Sequence, residues 1–294
     1  MRTTVMTGAT SGLGAVAARL LTADPEIRLL AGTRGKQVDG AETEQLDLGQ
    51  LAGVREFARK IIARLGDSKI DILVLNAGIS SPGDRPSTED GYEVVFATNH
   101  LAHYLLLRLL TPHLSPTANI VVTTSDTHDP KINKLAAPHH AYADLLARVP
   151  DGGPAKGRAA FRAYASSKLC NLLTARAFAH FTEAEGHQFQ VIAYNPGFTP
   201  ATQLNREAGR VIRTAMRTLL PLARKFMHIN SVDEAGRTLR DLALGEIRPP
   251  AGRIYASLAQ GKLVWPDPSR LAQSNDAMTS LWQESAALVD MRPL

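Results

Sequence analysis

The chain has 294 residues, of which 44% are hydrophobic and 21% charged, with a formal net charge of +5 and one cysteine, Cys170. That is enough apolar sequence for a full core, and a lone cysteine excludes an internal disulfide and fits a reducing cytoplasm. No apolar run approaches the roughly 20 residues that cross a bilayer, and the modest charge, without a basic patch interleaved with aromatics, points to an anionic small molecule and away from nucleic acid.

Thr3-Thr4-Val5-Met6 reads as a short strand, reached so early that no signal or transit peptide is expected. Thr7-Gly8-Ala9-Thr10-Ser11-Gly12-Leu13-Gly14 follows, then a helical run from Ala15 to Leu21. Strand, glycine-rich turn and helix together suit a diphosphate, because main-chain N–H groups and the helix dipole both favour its charge. Gly8 permits the tight turn, Gly12 the close approach of a cofactor and Gly14 the packing of helix on strand. The spacing is Gly-x-x-x-Gly-x-Gly, which differs from the Gly-x-Gly-x-x-Gly dinucleotide fingerprint.

A second strand, Ile27 to Ala31, ends at Gly32-Thr33-Arg34. The end of the second strand meets the adenosine ribose in such folds. An acid there reads the ribose hydroxyls of NAD, and a base pairs with the 2′-phosphate of NADP. Arg34, with Lys36 behind it, predicts NADP(H). Asp47 is placed to accept from the adenine amino group, with Leu48 beside it in the cofactor set.

The alternation then continues. Val54 to Leu65 has helical periodicity, Asp71 to Leu75 reads as a buried strand ending in Asn76-Ala77-Gly78, and Gly91 to Leu110 as a long helix containing Asn99. Asn119 to Thr124 predicts a strand ending at Ser125. A helix carries Tyr164 and Lys168, and Gln190 to Tyr194 predicts a strand ending in Asn195-Pro196-Gly197. The fold class expected is α/β, a doubly wound parallel sheet with helices on both faces, forming one domain over residues 1–294. Its ligand site lies beyond the carboxyl ends of the strands, where Gly8, Arg34, Asn76, Ser125 and Pro196 all fall.

Tyr164-Ala165-Ser166-Ser167-Lys168 carries the chemistry. On a helix the i,i+4 spacing sets the phenol and the ammonium on one face. A free tyrosine, with a pKa of about 10, is a poor acid–base group at neutral pH, and a lysine beside it is expected to favour the phenolate. Ser125 adds a hydroxyl that can hydrogen-bond a carbonyl oxygen. His100, His103 and His128 have no metal-ligand spacing with cysteines or carboxylates, so no metal is assigned.

These motifs, in this order, resemble those of the short-chain dehydrogenase/reductase superfamily over essentially the whole chain. Within it, Thr98-Asn99-His100-Leu101-Ala102-His103-Tyr104-Leu105-Leu106 is similar to a run of the retinol dehydrogenase and protochlorophyllide oxidoreductase group. Tyr164 to Asn171 resembles the protochlorophyllide enzymes' Tyr-x-x-Ser-Lys-x-Cys-Asn, and Leu281-Trp282-Gln283-Glu284-Ser285 the Leu-Trp-x-x-Ser tail of both. Two positions depart from the pattern. Phe198 stands where the protochlorophyllide enzymes carry a cysteine, and Ala201 where a threonine is expected, flanked by Thr199 and Thr202.

The resemblance implies hydride transfer between NADP(H) and a hydrophobic ketone, aldehyde or alcohol. Tyr164 would be the acid–base, Ser125 would polarise the carbonyl, Lys168 would grip the nicotinamide ribose and Asn99 would hold a water linking Lys168 to solvent. Thr199, beside Pro196 and Gly197, completes the cofactor set. Two alternatives stand beside this reading, a protochlorophyllide-type double-bond reductase and a non-catalytic NADP-sensing regulator. Substrate choice is expected to lie in an insertion at about 126–162, which separates Ser125 from Tyr164 by 39 positions and in which Pro138 to Arg148 reads as a short helix, and in a lid at about 203–228. The second segment has basic and apolar faces, which also suit weak contact with a membrane surface. Many relatives pair through the Tyr-Lys helix and its neighbour. The insertion is expected to cover that face, giving a monomer, with a homodimer as second choice.

Overall fold

The computed structural model describes residues 1–151, 153–199 and 229–292. The expected lid, Ala201 and Thr202 lie outside them. The chain builds β1 (Arg2–Thr7), α1 (Gly12–Thr22), β2 (Ile27–Thr33), β3 (Glu42–Gln45), α2 (Leu51–Leu65) and β4 (Ile70–Leu75). A continuous helical stretch follows: α3 (Val94–Phe96), a π turn (Ala97–Leu101) and α4 (Ala102–Leu110). Then come β5 (Leu114–Thr123), α5 (Ala143–Leu146), α6 (Gly157–Ala184) and β6 (Gln190–Asn195). The C-terminal part supplies α7 (Val232–Leu244), β7 (Tyr255–Ala259), β8 (Lys262–Val264), α8 (Arg270–Gln273) and α9 (Asn275–Leu288).

The strands form one sheet in the order β3-β2-β1-β4-β5-β6-β7-β8. All pairs are parallel except β7–β8, which is antiparallel. Strands such as β4, whose stretch Ile72-Leu73-Val74-Leu75 is buried throughout, are apolar without alternation there because both faces are covered. One core layer packs α2, α4, α6 and α9 on the sheet around Phe57, Leu105, Phe178 and Trp282. The other packs α1 and α7 around Met6, Leu13, Ile192 and Leu239. The chain runs outward from β1 to β3 and returns to β4, so the strand order reverses between β1 and β4. A crevice opens at such a point, and ligands of open α/β sheets bind there.

Three expectations change in detail. The long helix does not begin at Gly91, whose φ of +82° is outside the helical region. It begins at Val94, where the buried Glu93 carboxylate caps the N–H groups of Val95 and Phe96 at 3.0 and 2.6 Å. The short helix expected over Pro138–Arg148 contracts to Ala143–Leu146. It packs on the C-terminal α9, where the Ala143 N–H donates to Glu284, and the Ala147 carbonyl accepts from the Glu93 N–H at 2.8 Å. Finally, β3, α7, β7, β8, α8 and α9 are additional elements.

Candidate active site

The turn after β1 is shaped to lie against another backbone. Gly8 (φ +71°) and Gly12 (φ +56°) both take the left-handed conformation that favours glycine. A Cβ on Gly14 would lie 2.0 Å from the Gly8 carbonyl oxygen, and one on Gly8 2.7 Å from the Ala77 nitrogen. Thr10, Ser11 and Leu13 complete the turn. Ser11 is the N-cap of α1, yet its side chain caps no amide, and the first turn of the helix holds no acid. The free N–H groups therefore point outward at the positive end of the helix dipole, as an anionic group requires. The residues present fit the diphosphate of a dinucleotide.

Beside the turn, Thr7 ties the first strand to the fourth. Its Oγ1 accepts from the N–H groups of Asn76 (3.0 Å) and Ala77 (3.1 Å) and meets His103 Nε2 at 2.9 Å. With two bonds accepted, the Thr7 hydroxyl proton goes to His103. His103 is therefore the Nδ1–H tautomer and donates to the Asn99 carbonyl at 3.0 Å. Burial lowers the His103 pKa to about 4 and keeps the ring neutral. The Asn76 side chain donates to the Gly8 carbonyl (3.2 Å) and accepts from Thr123 Oγ1 (3.0 Å), so three strand ends are joined through one amide.

Asn99 lies inside the π turn and is fully buried. Its amide donates to the Ile79 carbonyl (2.8 Å) and Ser167 Oγ (3.0 Å), and its Oδ1 accepts from the Ile79 N–H (2.8 Å). Both amide hydrogens are thus used, and a water held at Asn99 would meet a lone pair of Oδ1 or of the main-chain carbonyl. Gly78 makes the approach to Lys168 close: a Cβ there would lie 3.2 Å from Asn99 Oδ1 and 3.3 Å from Lys168 Nζ.

Ser125, Tyr164 and Lys168 converge at the ends of β5 and β6. Ser125 is the N-cap of a 3₁₀ turn, Asp126–His128. Its Oγ accepts from the Thr127 N–H at 3.3 Å and lies 3.4 Å from Asp126 Oδ1. The Ser125 carbonyl accepts from the buried His128 Nδ1 at 2.6 Å, which fixes the backbone behind the hydroxyl. Tyr164 is half-buried on α6. Burial pushes its phenol up to about 12, with a hydrogen bond to Ser125 acting in the opposite direction. Lys168 Nζ donates to the Thr123 carbonyl at 3.1 Å and lies 5.8 Å from the centre of the Tyr164 ring. Burial lowers the Lys168 ammonium to about 8. The expected lowering of the Tyr164 pKa by Lys168 is therefore not what this geometry gives: burial of both groups dominates, and the ammonium is turned to Thr123. Thr124 Oγ1 (2.6 Å) bonds the Lys168 carbonyl and Asn171 Nδ2 (3.1 Å) bonds the Thr123 carbonyl, pinning α6 to β5 in register.

On the far side, Gly197 (φ +66°) turns the chain after β6 and Asn195 Oδ1 accepts its N–H at 3.0 Å. Asn230 Nδ2 spans the Pro196 (3.0 Å) and Leu258 (2.6 Å) carbonyls, so β6 and β7 are clamped below Thr199 and the 45%-exposed Phe198. Arg34 is exposed at the end of β2, with no ion pair among the described residues, and Lys36 Nζ donates to the Thr10 carbonyl at 3.0 Å. Asp47 Oδ1 accepts from the Gly49 N–H at 2.9 Å, and Leu48 is buried. Sequence reasoning missed Thr7, Thr123, Thr124, His128 and Asn230. Thr7, Thr123 and Thr124 could have been singled out by their positions at strand ends, whereas His128, in a 3₁₀ turn, and Asn230, ahead of α7, carry no such signal. Cys170 is fully buried and its thiol is pushed far up by burial.

A glycine turn at the switch point and a Ser-Tyr-Lys cluster beyond the sheet define a dinucleotide-dependent oxidoreductase, and comparison with known proteins agrees. The family model described as short chain dehydrogenase matches residues 2–137. Polyprenol dehydrogenase of Mus musculus is 32% identical over 309 residues, covering 98% of this chain and 83% of that protein. Protochlorophyllide reductase A of Hordeum vulgare is 30% identical over 321 residues, covering 98% and 80%. A crystal structure of an uncharacterized protein from Mycobacterium paratuberculosis superposes with a TM-score of 0.69 at 26% identity, covering 100% of this chain and 95% of that one. The chain belongs to the short-chain dehydrogenase/reductase family, in the group that includes polyprenol dehydrogenase and the protochlorophyllide reductases.

Proposed function

We propose that this protein is an NADP(H)-dependent oxidoreductase that interconverts a hydrophobic ketone or aldehyde with its alcohol. The observation that carries the reading is the convergence of Ser125, Tyr164 and Lys168 beside the Gly8–Gly14 turn. The turn, Asn76, Ala77, Gly78, Pro196, Gly197 and Thr199 would hold the cofactor, with Asp47 and Leu48 at the adenine and Arg34 at the 2′-phosphate. Bound there, a reduced nicotinamide supplies hydride. Tyr164, kept protonated by burial, donates its proton to the carbonyl oxygen while Ser125 donates a hydrogen bond to it. Lys168 holds the ribose hydroxyls, and Asn99 supports the water that would replenish the proton. A phenol held in its acid form favours reduction.

The relative named protochlorophyllide reductase supports a second reading, reduction of a pigment double bond. Phe198 counts against it, since a phenyl ring has no exchangeable proton and offers only an apolar wall. NADPH consumption over a panel of ketones and aldehydes, in darkness and in light, separates the two. Equal dark and light turnover is expected, and pigment reduction only in light, with no dark carbonyl activity, would overturn the reading. A sensing regulator would have no use for an acid–base pair. The reading further takes residues 1–294 as one domain acting in the cytoplasm. Among the described residues no helix is long and apolar enough to cross a membrane.

A further inference from the structure

The insertion leaves large apolar side chains in water at an unusual place. Ile132 is 62% exposed, Leu135 69% and Phe161 43%. They form one patch. Arg158 and Arg162, which flank Phe161 on α6, both donate to the Leu135 carbonyl. Residues 129–137 are held firmly beneath: the Asn133 N–H donates to the Asp129 carbonyl at 2.8 Å, Asn133 Nδ2 to the Thr127 carbonyl at 2.9 Å, and Ala136 N to Asn133 Oδ1 at 3.0 Å. The patch is therefore presented on a fixed support. It also adjoins the reacting groups, because the Phe161 ring stacks on that of Tyr164 with centroids 6.4 Å apart and planes 15° apart.

The charge of these segments is predominantly positive. Segments 129–137 and 156–162 contain Lys131, Lys134, Lys156, Arg158 and Arg162 against the single acid Asp129. Lys131, Lys134, Lys156 and Arg158 are exposed. A second copy of the chain docked face to face would set these cations against themselves, which disfavours a self-complementary contact. Apolar tips interspersed with cations instead match a bilayer whose headgroups are anionic and whose interior takes the tips.

We propose that residues 129–137 and 156–162 form a docking face for an anionic lipid surface, seating the Tyr164 site against the bilayer so that a long-chain alcohol or carbonyl compound passes to it directly. The inference rests on the lipophilic-substrate reading above for its substrate, but its binding test needs no turnover. The full chain is mixed with vesicles of phosphatidylcholine, or of phosphatidylcholine and phosphatidylserine in equal amounts, and floated through a density gradient. Flotation is expected with the anionic vesicles, falling steeply with salt. Lys131→Gln with Lys134→Gln should weaken it by about fivefold for each charge. Ile132→Ser with Leu135→Ser should weaken it at least about tenfold. Both variants should keep the wild-type circular dichroism and the wild-type rate on a short water-soluble ketone, while losing rate on a long-chain substrate carried in anionic vesicles. Three results would overturn the proposal: wild type that does not float with anionic vesicles, variants that float as well as wild type, or a dimer in light scattering that depends on these residues without vesicle binding. Vesicle binding without NADPH consumption on any carbonyl would sink the enzymatic reading and leave the docking face standing.

Discussion

Burial sets the acid–base behaviour of the two groups that face each other across one turn of α6. Tyr164, pushed up to about 12, stays a proton donor throughout the neutral range, whereas Lys168, lowered to about 8, loses its charge within reach of ordinary assays. The unfolded chain binds the lysine proton more tightly, so between about pH 8 and the ordinary lysine value this group's contribution to stability rises with pH. Its contribution to the proposed function runs the other way, because the cation proposed to grip the ribose disappears. In the reductive direction kcat/KM, which reports the free enzyme, is expected to fall as pH rises through about 8. A pH profile that stays flat or climbs across that range would contradict the role given to Lys168. The proposed preference for NADP(H) also rests on one side chain, Arg34. Arg34→Ala removes a charge-assisted bond that only a 2′-phosphate can make, so NADPH affinity should drop by about tenfold or more while NADH affinity barely changes. Titration of both cofactors by fluorescence checks this, and equal losses would make Arg34 an ordinary exposed loop residue.

Whole elements position these groups, and α1 shows how tightly. A methyl on Gly14 would sit 2.0 Å from the Gly8 carbonyl oxygen and 2.5 Å from Asn76 Nδ2. Gly14→Ala must therefore push the helix away from the strand ends. It is expected to cost about 1–3 kcal/mol in urea unfolding and to weaken cofactor binding markedly. Unchanged stability and affinity would show that the turn has room to spare. The sequence was most readable where one pattern meets one structural need. The glycine turn, the apolar strands and the i,i+4 pair of Tyr164 and Lys168 are each local signals. Elements that depend on distant partners were not readable. β3 is a polar Glu-Thr-Glu-Gln strand whose Glu42 and Glu44 pair with Arg28, Lys60 and Arg64 from neighbouring elements. β7 and β8 are short strands without strong alternation: β7 forms by adding to β6, and β8 closes the edge by pairing antiparallel with β7. The π turn around Asn99 is a change of backbone register with no composition of its own. The balance between Lys168 and Tyr164 is hidden for a related reason, since spacing fixes which groups are neighbours but not how deeply they are buried.

At the scale of the molecule, the C-terminal helix α9 packs against α4 and α6. Trp282 on α9 is buried. Its ring meets Tyr104 of α4 edge-on at 4.9 Å, and its carbonyl accepts from the Tyr104 hydroxyl at 3.0 Å. The Arg108 guanidinium lies 5.2 Å from the Trp282 ring centre, and Arg176 of α6 donates to the Ala272 and Ser274 carbonyls around α8. With α4 and α6 both engaged by the chain's own C-terminus, a monomer is expected in light scattering at low micromolar concentration, and a stable tetramer would contradict this. The insertion, by contrast, reaches Tyr164 through the Phe161 ring.

The central claim is that Tyr164 moves the proton in a thermal, NADPH-driven carbonyl reduction. The most direct test compares wild type with Tyr164→Phe on the best substrate of a carbonyl panel, in darkness, following NADPH absorbance while cofactor binding is measured separately. The account expects wild-type turnover in the dark and a loss of about a hundred- to ten-thousandfold in the variant, with NADPH affinity preserved. Near-normal turnover by Tyr164→Phe would contradict it.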